Sequence, residues 1–191
     1  MIDILLDLDR LLFIFLNGLG STKFDNFWLL MTNKILNGSV YFAIAIYFFK
    51  KTNYKYFLFL LVSVSILILF TDQFTNLIKY STLRPRPCHD EEIQQFIRLV
   101  KDTCGGLYGY FSAHASNSFA LAIFFSRLFM KIKWLPIALI LFAFLVGYSR
   151  IYIGVHYPLD VFSGIIMGSF SGYVAYSIFS KFINHDILDY K

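Results

Sequence analysis

Five long apolar stretches limit what this chain can fold into more than any other feature of its sequence. They run for 15 to 25 residues at Lys34–Phe49, Tyr56–Lys79, Ser112–Met130, Trp134–Tyr148 and Pro158–Phe182. An α-helix needs about 20 apolar residues to cross the hydrocarbon of a bilayer, where every backbone polar group must be hydrogen-bonded internally. We therefore predict an all-α fold, a polytopic membrane helical bundle with five to six spans.

The segment before these stretches has a different character. Ile2–Leu16 is shorter than a full span and carries Asp3, Asp7 and Asp9. Carboxylates are disfavoured in hydrocarbon, so we predict an N-terminal interfacial or re-entrant helix, with a sixth crossing as the alternative. A cleavable signal peptide begins with a positively charged region. This acidic segment does not, and we expect it to be retained.

The composition supports a single integral membrane domain over residues 1–191. Hydrophobic residues make up 58% of the chain and charged residues 15%, well outside the averages of soluble domains. A formal net charge of +5 would suit a nucleic-acid partner only if the basic residues formed one stripe. They lie instead at the ends of apolar runs, so we expect no nucleic acid to bind.

The charges of the connections indicate their side of the membrane. Lys50–Lys55 and Arg127–Lys133 contain basic residues and no acidic ones, which predicts a cytoplasmic location. Tyr80–Phe111 has as many acidic as basic residues and is expected on the opposite side. Arg150–Tyr157 is one span away from the second cytoplasmic connection, so it is expected on that outer side too.

Both cysteines of the chain, Cys88 and Cys104, fall in the outer connection Tyr80–Phe111. An extracytoplasmic compartment permits a disulfide. A bridge across this loop would stabilise the fold by roughly 3 kcal/mol in the chain-entropy model. We predict a disulfide between them, with two unpaired thiols as the alternative.

Polar residues that hydrocarbon disfavours gather in three segments, which the topology brings to the same outer face. These are Lys79 with Arg84–Pro87, then Ser112–His114, then Ser149 and Arg150 with His156 and Asp160. Cations, histidines and a carboxylate at one interface indicate an anion site with acid–base capacity.

Local signals suggest how these residues act. Pro158 is a typical first residue of a helix, so Asp160 should lie in the first turn of the last helix. Its carboxylate can then hold one nitrogen of His156 and leave the other free as a nucleophile. Ser112 is a typical N-cap residue, which puts His114 at a helix N-terminus, where phosphate is favoured.

The three segments resemble the signature of the type 2 phosphatidic acid phosphatase superfamily over roughly residues 79–160. Its first and third motifs are matched by Lys79, Arg86, Pro87, Ser149, Arg150, His156 and Asp160. The second motif is usually Pro-Ser-Gly-His, and here it is Phe111-Ser112-Ala113-His114. The departure keeps the serine and the histidine and affects the shape of the loop, because alanine lacks the backbone freedom of glycine.

The resemblance implies a role for each matched residue. His156 would attack phosphorus as the nucleophile, with Asp160 holding it, and His114 would protonate the leaving oxygen. The phosphate would be bound by Lys79, Arg86, Ser112, the backbone N–H of Ala113, and Arg150. No metal and no cofactor is expected, because the cations already supply the charge that a magnesium ion would supply.

These inferences predict a lipid phosphate phosphatase of the bacterial inner membrane, with its site on the periplasmic face. The substrate would be a phosphorylated lipid: undecaprenyl or another polyprenyl diphosphate, phosphatidylglycerol phosphate, phosphatidic acid or lipid A phosphate. The sequence does not choose among these lipids or set the oligomeric state. A phosphotransferase on the same scaffold, or a non-catalytic lipid-binding or transport protein, is the alternative.

Four polar residues near these motifs have less specific interpretations. Arg84 is expected either to bind lipid headgroups or phosphate or to extend toward the interface. Asp72 either orients Lys79 through Gln73 or Asn76 or marks the end of an apolar run. His89 and His185 are expected to be ordinary polar residues.

Overall fold

The computed structural model describes residues 2–183, which form helices joined by turns and loops. Its α-helices are α1 Ile2–Gly18, α2 Asp25–Met31, α3 Lys34–Lys51, α4 Tyr54–Thr82, α5 Ala113–Leu128, α6 Trp134–Tyr152 and α7 Pro158–Ser180. One-turn 3₁₀ helices lie at Thr22–Phe24, Pro87–His89 and Gln94–Phe96. No β-strand occurs within the described range. The predicted all-α bundle is confirmed, and each predicted apolar stretch is helical over most of its length.

The helices differ in their ability to cross a membrane. α4, α6 and α7 are each long and apolar enough to do so. The helical pair Thr22–Met31 and Lys34–Lys51 meets the same criterion as one unit bent by 49°, which would make a fourth crossing. α5 has only 16 residues and falls below that criterion. The described residues therefore contain three or four candidate spans, against the five to six predicted.

α5 and α7 pack with their backbones in close contact. Gly164, Gly168 and Gly172 form one stripe on α7, spaced four residues apart. A Cβ atom at Gly164 would lie 2.7 Å from the carbonyl oxygen of Ser112, and Cβ atoms at the other two glycines would collide with the carbonyls of Ser116 and Ala120. Small residues permit such close approach between membrane helices, where van der Waals contact rather than water exclusion drives association.

Aromatic side chains fill the bundle around the C-terminal end of α5. Phe124, Phe125 and Phe129 pack with Phe48 of α3 and Phe179 of α7, and each is at most 1% exposed. This aromatic core holds one end of α5 in place. The residues of the three polar motifs lie at the other end of the helix.

α1 presents one polar edge to the bundle. Asp9, Phe13 and Asn17 are spaced four residues apart on the face that packs toward α6 and α7, and all are buried. Leu11 and Phe15, on the opposite face, are 64% and 63% exposed. A helix with an apolar outer face and a polar inner edge suits the boundary of a bilayer.

Candidate active site

The second half of the third motif lies at the start of α7, where the sequence predicted a helix to begin. Pro158 is the first residue of the helix, and the Asp160 carboxylate accepts a hydrogen bond of 3.0 Å from the backbone N–H of Tyr157. The same oxygen, Oδ2, lies 3.2 Å from Nδ1 of His156. His156 is 2% exposed and Asp160 is completely buried. This pairing fixes the imidazole ring with Nδ1 toward the carboxylate and Nε2 away from it.

The surroundings of His156 disfavour the charged form of its imidazole. Burial lowers the pKa of His156 well below its usual value, and the positive charges of Arg150, Arg86 and Lys79 lower it further. A neutral imidazole has a free lone pair on the nitrogen that does not face Asp160. Such a nitrogen can act as a nucleophile at neutral pH.

The second motif forms the N-terminus of α5 beside the third. Ser112 is the N-cap residue of α5, and its hydroxyl accepts a hydrogen bond of 3.4 Å from the backbone N–H of Ala115. The backbone N–H of Ser112 donates to the carbonyl of Asp160 at 2.9 Å. That bond ties the two motifs together. His114 lies in the first turn of α5, where unpaired backbone N–H groups favour an anion.

Arg86, of the first motif, is held by backbone carbonyls. α4 ends at Leu83, which has a left-handed φ of 52°. Beyond it, Arg86 donates from Nε to the carbonyl of Tyr108 at 3.2 Å and from Nη1 to that of Cys104 at 3.0 Å. Burial lowers the pKa of its guanidinium. The group is thus fixed in orientation, close enough for its positive charge to act on His156.

Arg150, near the end of α6, is 5% exposed. Its Nη1 donates to the hydroxyl of Thr32, between α2 and α3. Its Nε is buried and finds no hydrogen-bond partner among the described residues. Buried donors of this kind are rare and need a partner, which here would be an acceptor brought by a ligand.

Arg84 is bound to protein carboxylates. It donates to Oδ1 of Asp160 at 3.0 Å and to Oδ2 of Asp9 at 2.6 Å, and its guanidinium lies over the ring of Tyr157, 4.1 Å from the centroid. Neither a headgroup contact nor extension toward the interface describes this position. Asp9, on α1, is a residue of the site that the sequence interpretation missed. Its signal was a carboxylate four residues before Phe13, on the same face of the helix.

Asp72 bonds across to α5 rather than along its own helix. Asn117 donates to Asp72 at 2.8 Å, and Thr71 donates to the side-chain oxygen of Asn117 at 2.5 Å. The proposed path through Gln73 or Asn76 is therefore not the contact that the structure gives. The network joins α4 to α5 three residues after His114.

A cavity of about 300 Å³ opens beside His114, between α3, α4 and α5. Its walls are mostly apolar, with polar groups at a few points. It is lined by Lys34, Asn37, Gly38, Tyr41, Ile68, Asp72, Ala113, His114, Asn117, Ser118 and Leu121. It offers room for a bulky group next to the proposed proton donor.

Cys88 and Cys104 are placed as a bonded pair, with their Cα atoms 6.1 Å apart, within the range that a disulfide requires. His89, the next residue, is exposed, with Nε2 3.5 Å from the carbonyl oxygen of Gly105. His185 lies outside the described residues. Within residues 2–183, no three His, Cys, Asp or Glu side chains are grouped to hold a metal ion.

Comparison with known proteins identifies the family of this chain. The model of the PAP2 superfamily matches residues 53–184, a range that contains all three motifs. The chain belongs to the PAP2 superfamily. This confirms the family that the motifs resembled, and with the apolar helices it makes the chain an integral membrane protein and a phosphatase by family.

Two PAP2 relatives are similar over most of the chain. A lipid A 4'-phosphatase of Bacteroides thetaiotaomicron is 38% identical over 187 residues, which cover 95% of this chain and 81% of the relative. A lipid A 4'-phosphatase of Porphyromonas gingivalis is 32% identical over 181 residues, 92% of this chain and 74% of the relative.

The fold of a solved PAP2 protein is also similar. The crystal structure of the transmembrane PAP2-type phosphatidylglycerolphosphate phosphatase from Bacillus subtilis superposes with a TM-score of 0.74 at 17% identity, over 95% of this chain and 89% of that one. At this identity the similarity concerns the fold alone.

Proposed function

We propose that this PAP2 phosphatase removes a phosphate from lipid A through a phosphohistidine formed on His156. The observation that carries the chemistry is the buried His156–Asp160 pair beside Arg150, whose Nε has no hydrogen-bond partner within residues 2–183. Support for the substrate is the similarity to two lipid A 4'-phosphatases along nearly the whole chain. The acyl chains of such a lipid would stay in the bilayer while its phosphate enters the site.

In the first step, Nε2 of His156 attacks phosphorus and the bond from phosphorus to the lipid oxygen breaks. His114 gives its proton to that oxygen, so the lipid leaves as an alcohol. In the second step, water attacks phosphorus, the bond to Nε2 breaks, and His114 takes the proton from water. Free phosphate and the neutral imidazole of His156 result.

The cations supply the electrostatic part of the catalysis. Lys79, Arg86 and Arg150 neutralise the oxygens of the phosphoryl group, on which charge is concentrated during transfer. Ser112 and the backbone N–H of Ala113 donate hydrogen bonds to the same group. Because Arg86 is held by two carbonyls and Arg150 by Thr32, little reorganisation is needed when the phosphate arrives.

The cavity beside His114 is the place for the leaving group. In-line displacement puts the leaving oxygen opposite His156, next to the residue that protonates it. The cavity starts there and continues between α3, α4 and α5. A sugar would occupy it from the membrane side, with its attached chains in the bilayer. The site would face the periplasm, because it is opposite the two lysine-rich connections.

The test is phosphate release by purified protein from lipid A, polyprenyl diphosphate, phosphatidylglycerol phosphate and phosphatidic acid in detergent micelles. We expect lipid A to be preferred, full activity in EDTA, and none in His156→Ala. Mass spectrometry of the lipid product identifies the phosphate removed. Preference for another lipid would reject the substrate, and near wild-type turnover by His156→Ala would reject the phosphohistidine. Loss of lipid phosphate without free phosphate would indicate transfer to an acceptor.

A further inference from the structure

We infer that α1 is a positioning element for the catalytic pair, and that it acts through Asp9 and Arg84. Asp9 holds Arg84, Arg84 holds Asp160, and Asp160 orients the imidazole of His156. The inference rests on the proposed role of His156 as the nucleophile. It assigns a function to a helix that lies outside the three family motifs.

Asp9 is fixed from two sides. One oxygen accepts a hydrogen bond of 2.8 Å from the backbone N–H of Leu159, and the other accepts 2.6 Å from Arg84. Leu159 is the second residue of α7, so Asp9 satisfies a donor that the helix itself leaves free. With Asp9 only 6% exposed, its charge is balanced by Arg84 and by the N-terminus of α7.

Arg84 connects the two carboxylates with one planar group. Its Nη1 donates to Oδ1 of Asp160 and its Nη2 to Oδ2 of Asp9. Oδ2 of Asp160 is then left for the N–H of Tyr157 and for Nδ1 of His156. Each oxygen of Asp160 therefore has its own partners, and the carboxylate cannot rotate without losing one of them. A lysine would supply the charge but not the fixed fork that reaches both carboxylates.

α1 also holds the end of α6. Asn17 donates to the carbonyls of Ile151 and Tyr152 at 3.2 and 2.9 Å, and accepts from the backbone N–H of Arg98 at 2.7 Å. Those carbonyls directly follow Arg150, a proposed phosphate ligand. Asp9 and Asn17, two turns apart, thus attach α1 to both helices that carry the third motif.

Kinetic measurements distinguish a positioning role of Asp9 and Arg84 from a role in phosphate binding. Purified Asp9→Asn, Arg84→Gln and the double variant would be assayed on p-nitrophenyl phosphate, with inorganic phosphate as a competitive inhibitor. Asp9→Asn keeps an oxygen for Leu159 but removes the charge that holds Arg84. We expect kcat of each variant to fall by up to roughly 100-fold, because a misplaced reacting group lowers the rate by about this factor. The inhibition constant of phosphate should be unchanged, which also shows that the site is folded.

The double variant tests whether the two residues act as one unit. If they do, it loses no more kcat than Arg84→Gln alone, whereas independent effects would multiply. Asp3→Asn is the matched control, since it removes a carboxylate from an exposed position of the same helix, and it should behave as wild type. Arg86→Gln, a proposed phosphate ligand, should weaken inhibition by phosphate.

Three results would overturn the inference: wild-type kcat in Asp9→Asn, weakened phosphate inhibition in Arg84→Gln, or multiplied losses in the double variant. A failure of the proposed function would give different results. A wild type that ignores lipid A but hydrolyses p-nitrophenyl phosphate leaves this test intact. An active His156→Ala variant would remove the chemistry on which it rests.

Discussion

Replacing Gly164 by alanine should damage catalysis without touching a motif residue. The new Cβ would lie 2.7 Å from the carbonyl oxygen of Ser112, where ordinary contacts begin at 3.4 Å. α7 and the start of α5 must therefore separate by about 0.7 Å, the difference between these distances. The hydrogen bond from Ser112 to the carbonyl of Asp160, now 2.9 Å, would lengthen to about 3.6 Å and be lost.

This displacement moves the second motif away from the third, and so His114 away from His156. A misplacement of about 1 Å can lower a rate by roughly 100-fold. A shift of about 0.7 Å therefore predicts a loss of roughly 10- to 30-fold in kcat. The assay is hydrolysis of p-nitrophenyl phosphate by purified protein in detergent, with thermal unfolding measured on the same sample.

Gly18→Ala is the matched control, because Gly18 is also helical and a Cβ there meets nothing within 4 Å. It should keep wild-type kcat. Wild-type kcat in Gly164→Ala, with unfolding also unchanged, would refute the idea that the α5–α7 contact sets the distance between the motifs. Lower stability with unchanged kcat would refute it as well, since packing would then matter only for folding.

Four further predictions follow from the site. His114→Ala should be severely impaired on lipid substrates but recover on esters with leaving groups of low pKa, which need no protonation; equal loss on both would contradict its role as the acid. Gly38→Leu fills open space in the cavity, so KM for a lipid substrate should rise while KM for p-nitrophenyl phosphate stays the same. Burial lowers the pKa of His156, so its imidazole should stay unprotonated as the pH falls. We expect kcat/KM to remain constant down to pH 6.5 and to decline only below it. A decline centred above pH 6.5 would contradict the lowered pKa. Mass spectrometry of unreduced membranes should find Cys88 and Cys104 bridged, and an impermeant thiol reagent should label them from outside after reduction; free thiols, or no labelling, would contradict the bridge or the topology.

Much of this architecture could be predicted because its signals are local. The length and apolar character of the stretches predict the helices. The helix start at Pro158 places Asp160 within reach of His156. Ser112 as an N-cap puts His114 at a helix N-terminus. Each of these inferences needs only a few consecutive residues, so no knowledge of how the helices pack is required.

The contacts that the sequence did not reveal are those between distant segments. The sequence suggested lipid, phosphate or the interface for Arg84, because its partner Asp9 on α1 is 75 residues away in sequence. Asp72 had near neighbours along α4, but its hydrogen bond comes from Asn117 on α5. The number of spans is harder to predict, because α5 has only 16 residues and much of its surface is enclosed by other helices.

The two faces of α1 make the enzyme sensitive to the material that surrounds it. Leu11 and Phe15 point outward, while on the opposite face Asp9 binds Arg84, which holds the Asp160 carboxylate beside His156. A bilayer of a different thickness, or a short-chain detergent, would shift the helix through its outer side chains. Activity should therefore disappear on solubilisation in such detergents before helical content does, and return on reconstitution into lipid. The choice of membrane mimetic is then a variable of the reaction and belongs in the kinetic description of this enzyme.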